Sequence, residues 1–155
     1  YAEAERRYQQ SLTIKEELGN RAGMANSYHQ LGVLAQDRGD YAEAERRYQQ
    51  SLTIKEELGN RAGMAYSISQ LGVLHADTQK PTEAVTLHCR ALAIRLEIGV
   101  PQASFDIARL RDLRTKISEK TFTDTIRTIL DEQSSRTLVE LLDHEDRSEQ
   151  EDDRE

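Results

Sequence analysis

The stretch "YAEAERRYQQSLTIKEELGNRAGMA" occupies residues 1–25 and returns, letter for letter, at residues 41–65. Carried over the whole forty-residue unit, residues 1–40 and 41–80 differ at only eight positions. A fixed period of this length is the mark of supersecondary units that solve one packing problem repeatedly. Within the unit the apolar residues keep helical spacing. Met24, Ala25, Tyr28, Leu31, Gly32 and Ala35 fall on one stripe of a first helix. Tyr41, Ala44, Tyr48, Leu52 and Leu58 fall on one stripe of a second. The opposite face of the second helix carries Glu43, Glu45, Arg46, Arg47, Gln49 and Gln50. There Glu43 and Arg47 form an acid-before-base pair at i,i+4.

The boundaries carry their own chemistry. Gly39 follows the first helix, where a left-handed residue closes it at little cost. Asp40 then stands at an N-cap with Glu43 three residues on, a capping-box arrangement. Gly59 and Asn60 repeat the device. Helices of about 18 residues are about 27 Å long, and turns this short force neighbours to pack antiparallel. The unit is therefore a helical hairpin. A chain dominated by Leu, Ala and charged residues, with no Trp and two Pro, favours the same all-α class.

This pattern resembles the tetratricopeptide repeat. Its signature positions read Tyr28, Leu31-Gly32, Ala35, Gly39, Tyr41, Ala44, Tyr48 and Ser51, with Glu56 where Pro is usual. The second copy reads Ile68, Leu71-Gly72, His75, Gln79, Pro81, Ala84, His88 and Ala91. The forty-residue period is similar to that of kinesin light chains, cell-polarity adaptors and the sensor arms of bacterial signalling ATPases of the STAND type. The resemblance implies an α-solenoid of antiparallel helix hairpins, a right-handed superhelix, ending in a C-terminal helical cap. Repeats are expected over residues 1–100, beginning with a half repeat. A degenerate unit with capping helices is expected over 101–143, and an acidic tail over 144–155. Gly32 and Ala44 are small where the helices of a hairpin cross, so their axes can approach to about 8–10 Å.

The two copies disagree in one place. The second helix, Tyr1–Leu18 and Tyr41–Leu58, does not change, whereas the first changes at Asn26/Tyr66, Tyr28/Ile68, His29/Ser69, Ala35/His75 and Gln36/Ala76, then at the final turn, Arg38/Thr78, Gly39/Gln79 and Asp40/Lys80. By the resemblance, the first helix lines the concave wall. On that wall stand Asn26, His29, Val33, Gln36 and Asp37, then Tyr66, Ser69, Val73 and Asp77. A groove recognising an irregular ligand would vary in this way. Drift after a recent duplication, or adaptation of the second unit to its degenerate neighbour, would look the same.

Beyond Gly99 the pattern weakens. Pro81 opens the third unit's long helix at the first helical position, and Pro101 is expected to open another. Arg111-Asp112 stands where Leu-Gly stood, which removes the close crossing. Further helices are expected to begin at Thr121 and, capped by Ser135, around Leu138, Leu141 and Leu142. The tail from His144 holds seven acids and two bases and is expected to be disordered, either a solvating appendage or an acidic arm.

Several classes are excluded or unsupported. Of the net charge of -7, the tail carries -5, leaving a body near -2 and no basic stripe for a nucleic acid. No apolar run approaches the ~20 residues of a membrane span. A lone Cys89 forms no internal disulfide and suits a cytoplasmic setting. Phosphate loops, serine elbows and metalloprotease motifs are absent, and His75, His88 and Cys89 read as core residues rather than zinc ligands. No catalytic residue, cofactor or metal is expected. The carboxylate clamp of chaperone-type repeats is also missing, because His29, Val33, Ser69 and Val73 stand at its positions.

The expected function is a protein-interaction module, the C-terminal fragment of a longer array, holding a peptide or helix in its concave groove. The alternative is a spacer or self-association segment of a multidomain signalling protein. With no cap before Tyr1, more repeats are expected to precede it, and that end is expected to support self-association.

Overall fold

The computed structural model of the protein describes residues 1–152, with side chains to His144. Among the described residues there are eight α-helices and no strand. They are α1 (Ala2–Glu17), α2 (Arg21–Asp37), α3 (Tyr41–Glu57), α4 (Arg61–Asp77), α5 (Pro81–Ile98), α6 (Ala103–Arg114), α7 (Glu119–Arg127) and α8 (Glu132–Asp152). α2 with α3, and α4 with α5, form tight hairpins, and α1 on α2, α3 on α4 and α5 on α6 join them in a row. This is the stacked helical-hairpin architecture expected from the period.

The turns follow from local chemistry. Gly19, Gly39 and Gly59 sit in the left-handed region at φ of 65°, 78° and 64°. Asn20, Asp40 and Asn60 accept from the backbone N–H three residues on, at 2.9, 3.2 and 2.9 Å. The reciprocal half of the capping box is not made: the Glu43 carboxylate accepts from Arg46 and Arg47 instead. Charge-assisted bonds to two guanidinium groups outcompete one backbone N–H. Gln79 takes the place of Gly39 in the second copy and still adopts φ of 62°.

Close approach within a hairpin depends on glycine. A Cβ on Gly32 would stand 2.7 Å from the Tyr48 ring, and one on Gly72 would stand 2.7 Å from His88 Nε2. Around these crossings Ala35, Ala44, Tyr48, Leu52, Ile68, Leu71, Leu74 and Ala91 form a core shared by α2 to α5. Lys15 donates to Ser27 and Lys55 to Ser67, each at 2.9 Å, tying each second helix to the first helix that follows it.

The order changes after α6. α7 packs on α5, and α8 on α7, instead of α7 closing a hairpin with α6. Phe122, Ile126, Leu138 and Leu142 join Cys89, Leu92, Leu110 and Leu113 in one core that covers this end. Three helix starts differ from expectation. α6 begins at Ala103, because Pro101 and Gln102 are taken up in a turn. α7 begins at Glu119, capped by Ser118, whose hydroxyl accepts from Thr121 N–H at 3.1 Å. α8 begins at Glu132, where Asp131 accepts from Ser134 N–H at 2.7 Å, while Ser135 is buried. α8 also remains helical to Asp152, past the Asp143 boundary placed from charge alone. Residues 153–155 of the expected tail lie outside the described residues.

Candidate functional site

The first helices α2 and α4 lie side by side, and their residues collect around Tyr48, which α3 inserts between them. Tyr48 is almost fully buried, and its hydroxyl donates to Gln36 Oε1 at 2.8 Å. Gln36 in turn donates to Asp77 Oδ2 at 3.2 Å, bridging α2 to α4. Burial, then the neighbouring Tyr66 and Asp37, push the Tyr48 phenol up to about 12, so it remains a donor at any ordinary pH. His29 stacks in tilted geometry against both Tyr48, at 5.3 Å between centroids, and Tyr66, at 4.8 Å. Lys55 lies 5.8 Å from the Tyr66 ring centroid while its ammonium donates to Ser67.

The expected residues therefore divide. His29, Gln36, Asp37, Tyr66 and Asp77 come together around Tyr48, with Tyr66 47% exposed and the two aspartates at the surface. Val33 packs half-buried against the shared core. Val73 is half-buried and Asn26 is exposed on α2. Ser69 does not face a groove. It is fully buried and donates to Asp106 Oδ1 at 2.6 Å, because α6 covers it.

That bond belongs to a second cluster. Asp106, 0% exposed, accepts from Ser69, from His88 Nδ1 at 2.9 Å and from Arg95. The His88 pair fixes the proton on Nδ1, leaving Nε2 against Gly72 with no hydrogen-bond partner. Phe105 lies beside it, with Arg95 and Arg109 at 5.9 and 5.2 Å from its ring centroid. The signal was available in the period: Asp106 stands eighty residues after Asn26 and forty after Tyr66. The same register position thus presents an exposed residue in two units and a buried carboxylate in the third.

His29 carries a pH dependence. Burial, with the Lys55 charge adding to it, holds its pKa at about 4, below the ordinary 6.5. The unfolded chain therefore binds the proton first as pH falls. Stability from this residue is full above about 6.5 and is lost as pH drops towards about 4. Urea denaturation is expected to show a loss approaching roughly 1 kcal/mol per pH unit across that window. His29→Phe should flatten this part of the profile, and an unchanged slope would contradict the assignment.

No group of His, Cys, Asp and Glu side chains among the described residues is arranged to hold a metal ion. No helix among them is long and apolar enough to cross a membrane. The arrangement can supply two surface carboxylates, a partly exposed tyrosine edge and an amide already engaged in a bridge. Against known proteins, the family model described as tetratricopeptide repeat matches residues 1–57 and 23–97. No curated protein matches the chain.

Proposed function

The chain belongs to the tetratricopeptide repeat family, and we propose that it holds a peptide or helix of another protein on the face carried by α2 and α4. Repeats of this family are protein-interaction scaffolds, a role typically without catalysis. The observation that supports this use of the face is its layering. A buried His29–Tyr48 pair, bridged through Gln36, supports an exposed rim of Asn26, Asp37, Tyr66 and Asp77. Tyr66, stacked on His29, and Asp77, bonded to Gln36, lose less freedom when a ligand orders them, which favours affinity. The forty-residue spacing supports reading the repeats as the kinesin-light-chain or STAND-arm variety.

Peptides selected from a displayed random library on the wild-type protein provide the test. Tyr66→Ala and Asp37→Asn alter exposed side chains and are expected to leave the thermal midpoint within about 2 °C of wild type. They are expected to weaken selected peptides about tenfold, as loss of an aromatic contact and a rim charge does. Peptides indifferent to both changes would place binding elsewhere.

A second reading, assembly through the α1 end, is favoured by the exposure of Tyr1, Ile14 and Leu18 at 67%, 56% and 75%. Light scattering at two concentrations separates its self-association form. Growth in mass supports it, and a monomer at both contradicts it.

A further inference from the structure

Two carboxylates of the joint formed by α1, α2 and α3, Glu5 and Glu43, recur forty residues on as Glu45 and Glu83. The bases that serve them do not recur. In the first joint Arg38 reaches Glu5 through two N–H donors, at 2.6 and 3.4 Å. Arg46 makes a bidentate pair with Glu43 at 2.8 and 2.7 Å, and Arg47 adds a bond at 2.7 Å. In the joint of α3, α4 and α5 those three positions are Thr78, Thr86 and Leu87. Two carboxylates facing three guanidinium groups have become two carboxylates facing none.

The space is open in this second joint. Glu45, Leu71, His75, Glu83, Thr86 and Leu87 line a cavity of about 260 Å³. Among the described residues no Lys or Arg pairs with either carboxylate, and Glu45 meets only His75 Nε2, at 3.2 Å. His75 replaces Ala35 of the first joint. A carboxylate accepts and cannot donate, so in the neutral ring the proton sits on Nε2 and leaves Nδ1 an acceptor. That nitrogen is buried with no hydrogen-bond partner. The cavity therefore offers acceptors from three side chains and needs a cation that donates in several directions. Glu45, His75 and Glu83 are not arranged to hold a metal ion. A guanidinium fits: it is planar, permanently charged and carries five N–H donors in a fixed fork. Leu71 and Leu87 give its methylene stem an apolar wall.

We infer that the cavity between α3, α4 and α5 takes one arginine side chain presented by another protein. Charge complementarity selects that occupant, and the molecule displays the same chemistry in its first joint, where arginines answer the equivalent carboxylates. The cavity shares no residue with the rim of Asn26, Asp37, Tyr66 and Asp77, so binding there is separable from binding on the α2–α4 face.

The test is a displayed random peptide library, kept on the intact wild-type protein and depleted on a Glu45→Gln/Glu83→Gln double variant. Both glutamates are exposed, so the double variant keeps its fold. Surviving peptides are expected to share one arginine. Citrulline in its place keeps the shape without the charge and should weaken binding at least about tenfold by anisotropy. Lysine there, a point charge without the fork, should cost about fivefold. Thr86→Arg sets an arginine three residues after Glu83, as Arg46 follows Glu43, and should fill the site from within. It is expected to weaken the same peptides about tenfold, whereas the uncharged Thr86→Gln should cost less than about threefold. A library that yields no survivors, survivors that lack arginine, or survivors that tolerate citrulline would overturn the inference. N-acetyl-arginine methylamide binding as tightly as the peptides would also overturn it, because the cavity would then serve a small guanidine. Peptides that respond to Tyr66→Ala and not to Glu83→Gln would uphold the α2–α4 face and contradict this site.

Discussion

Asp106→Ala is expected to destabilise the protein by about 3–5 kcal/mol, the cost of breaking a buried ion pair by removing one partner. Asp106 receives three donors from two helices: Ser69 on α4, and His88 and Arg95 on α5. Removing the carboxylate leaves the Arg95 guanidinium, 5% exposed, with only a 3.3 Å contact to the Gln102 carbonyl. Asp106→Asn keeps the shape but not the charge and should fall between wild type and alanine. Cys89 offers a readout specific to this end. It is fully buried, and burial, with Asp106 adding to it, pushes its thiol up to about 12. The thiol should therefore resist maleimide in the wild type and become labelled quickly in Asp106→Ala at temperatures where α2 and α3 remain folded. Equal labelling rates and equal stability would mean that apolar packing alone, from Leu110, Leu113 and their neighbours, holds α6.

Gly32→Leu is the second large effect. A side chain there meets the Tyr48 ring in a position where even a Cβ would be 2.7 Å away. The helix itself would gain about 0.8 kcal/mol from losing glycine. Overpacking costs about 1–3 kcal/mol and occasionally more. The clash wins, and a net loss of about 1–2 kcal/mol is expected from chemical denaturation. Combining it with Tyr48→Ala should recover part of this loss, because the ring that is struck has gone. Non-additivity of that sign is the signature of direct contact. Additive losses would place the two side chains apart.

The period, the apolar stripes and the glycine turns are local features, which is why they could be read from one sequence. Asp40 and Asn60 cap helices because a side chain reaches a backbone N–H three residues away, a distance any local reading can see. The same locality explains the shifted starts of α7 and α8. Ser118 and Asp131 compete there with other plausible caps, and tertiary packing decides between them. Ser69 could not be placed in this way. It has the polarity of a groove residue, and only Asp106, brought from 37 residues further on, turns it into the interior. Lys55 is a parallel case. A charged residue on a helix otherwise lined with solvated charges, it is buried against Ser67, and burial lowers its pKa. Polarity nominated Ser69 for the groove, but in both cases the partner determined where the side chain went. Tyr48 shows the reverse. It is legible as a core residue, yet its hydroxyl organises the candidate site through Gln36.

The account stands on consecutive hairpins crossing at a glycine in the same register. Nuclear Overhauser contacts test this most directly. Strong cross-peaks are predicted between Gly32 Hα and the Tyr48 ring, and between Gly72 Hα and the His88 ring, the two arising from equivalent crossings forty residues apart. Absence of both, with the helices still formed, would contradict it.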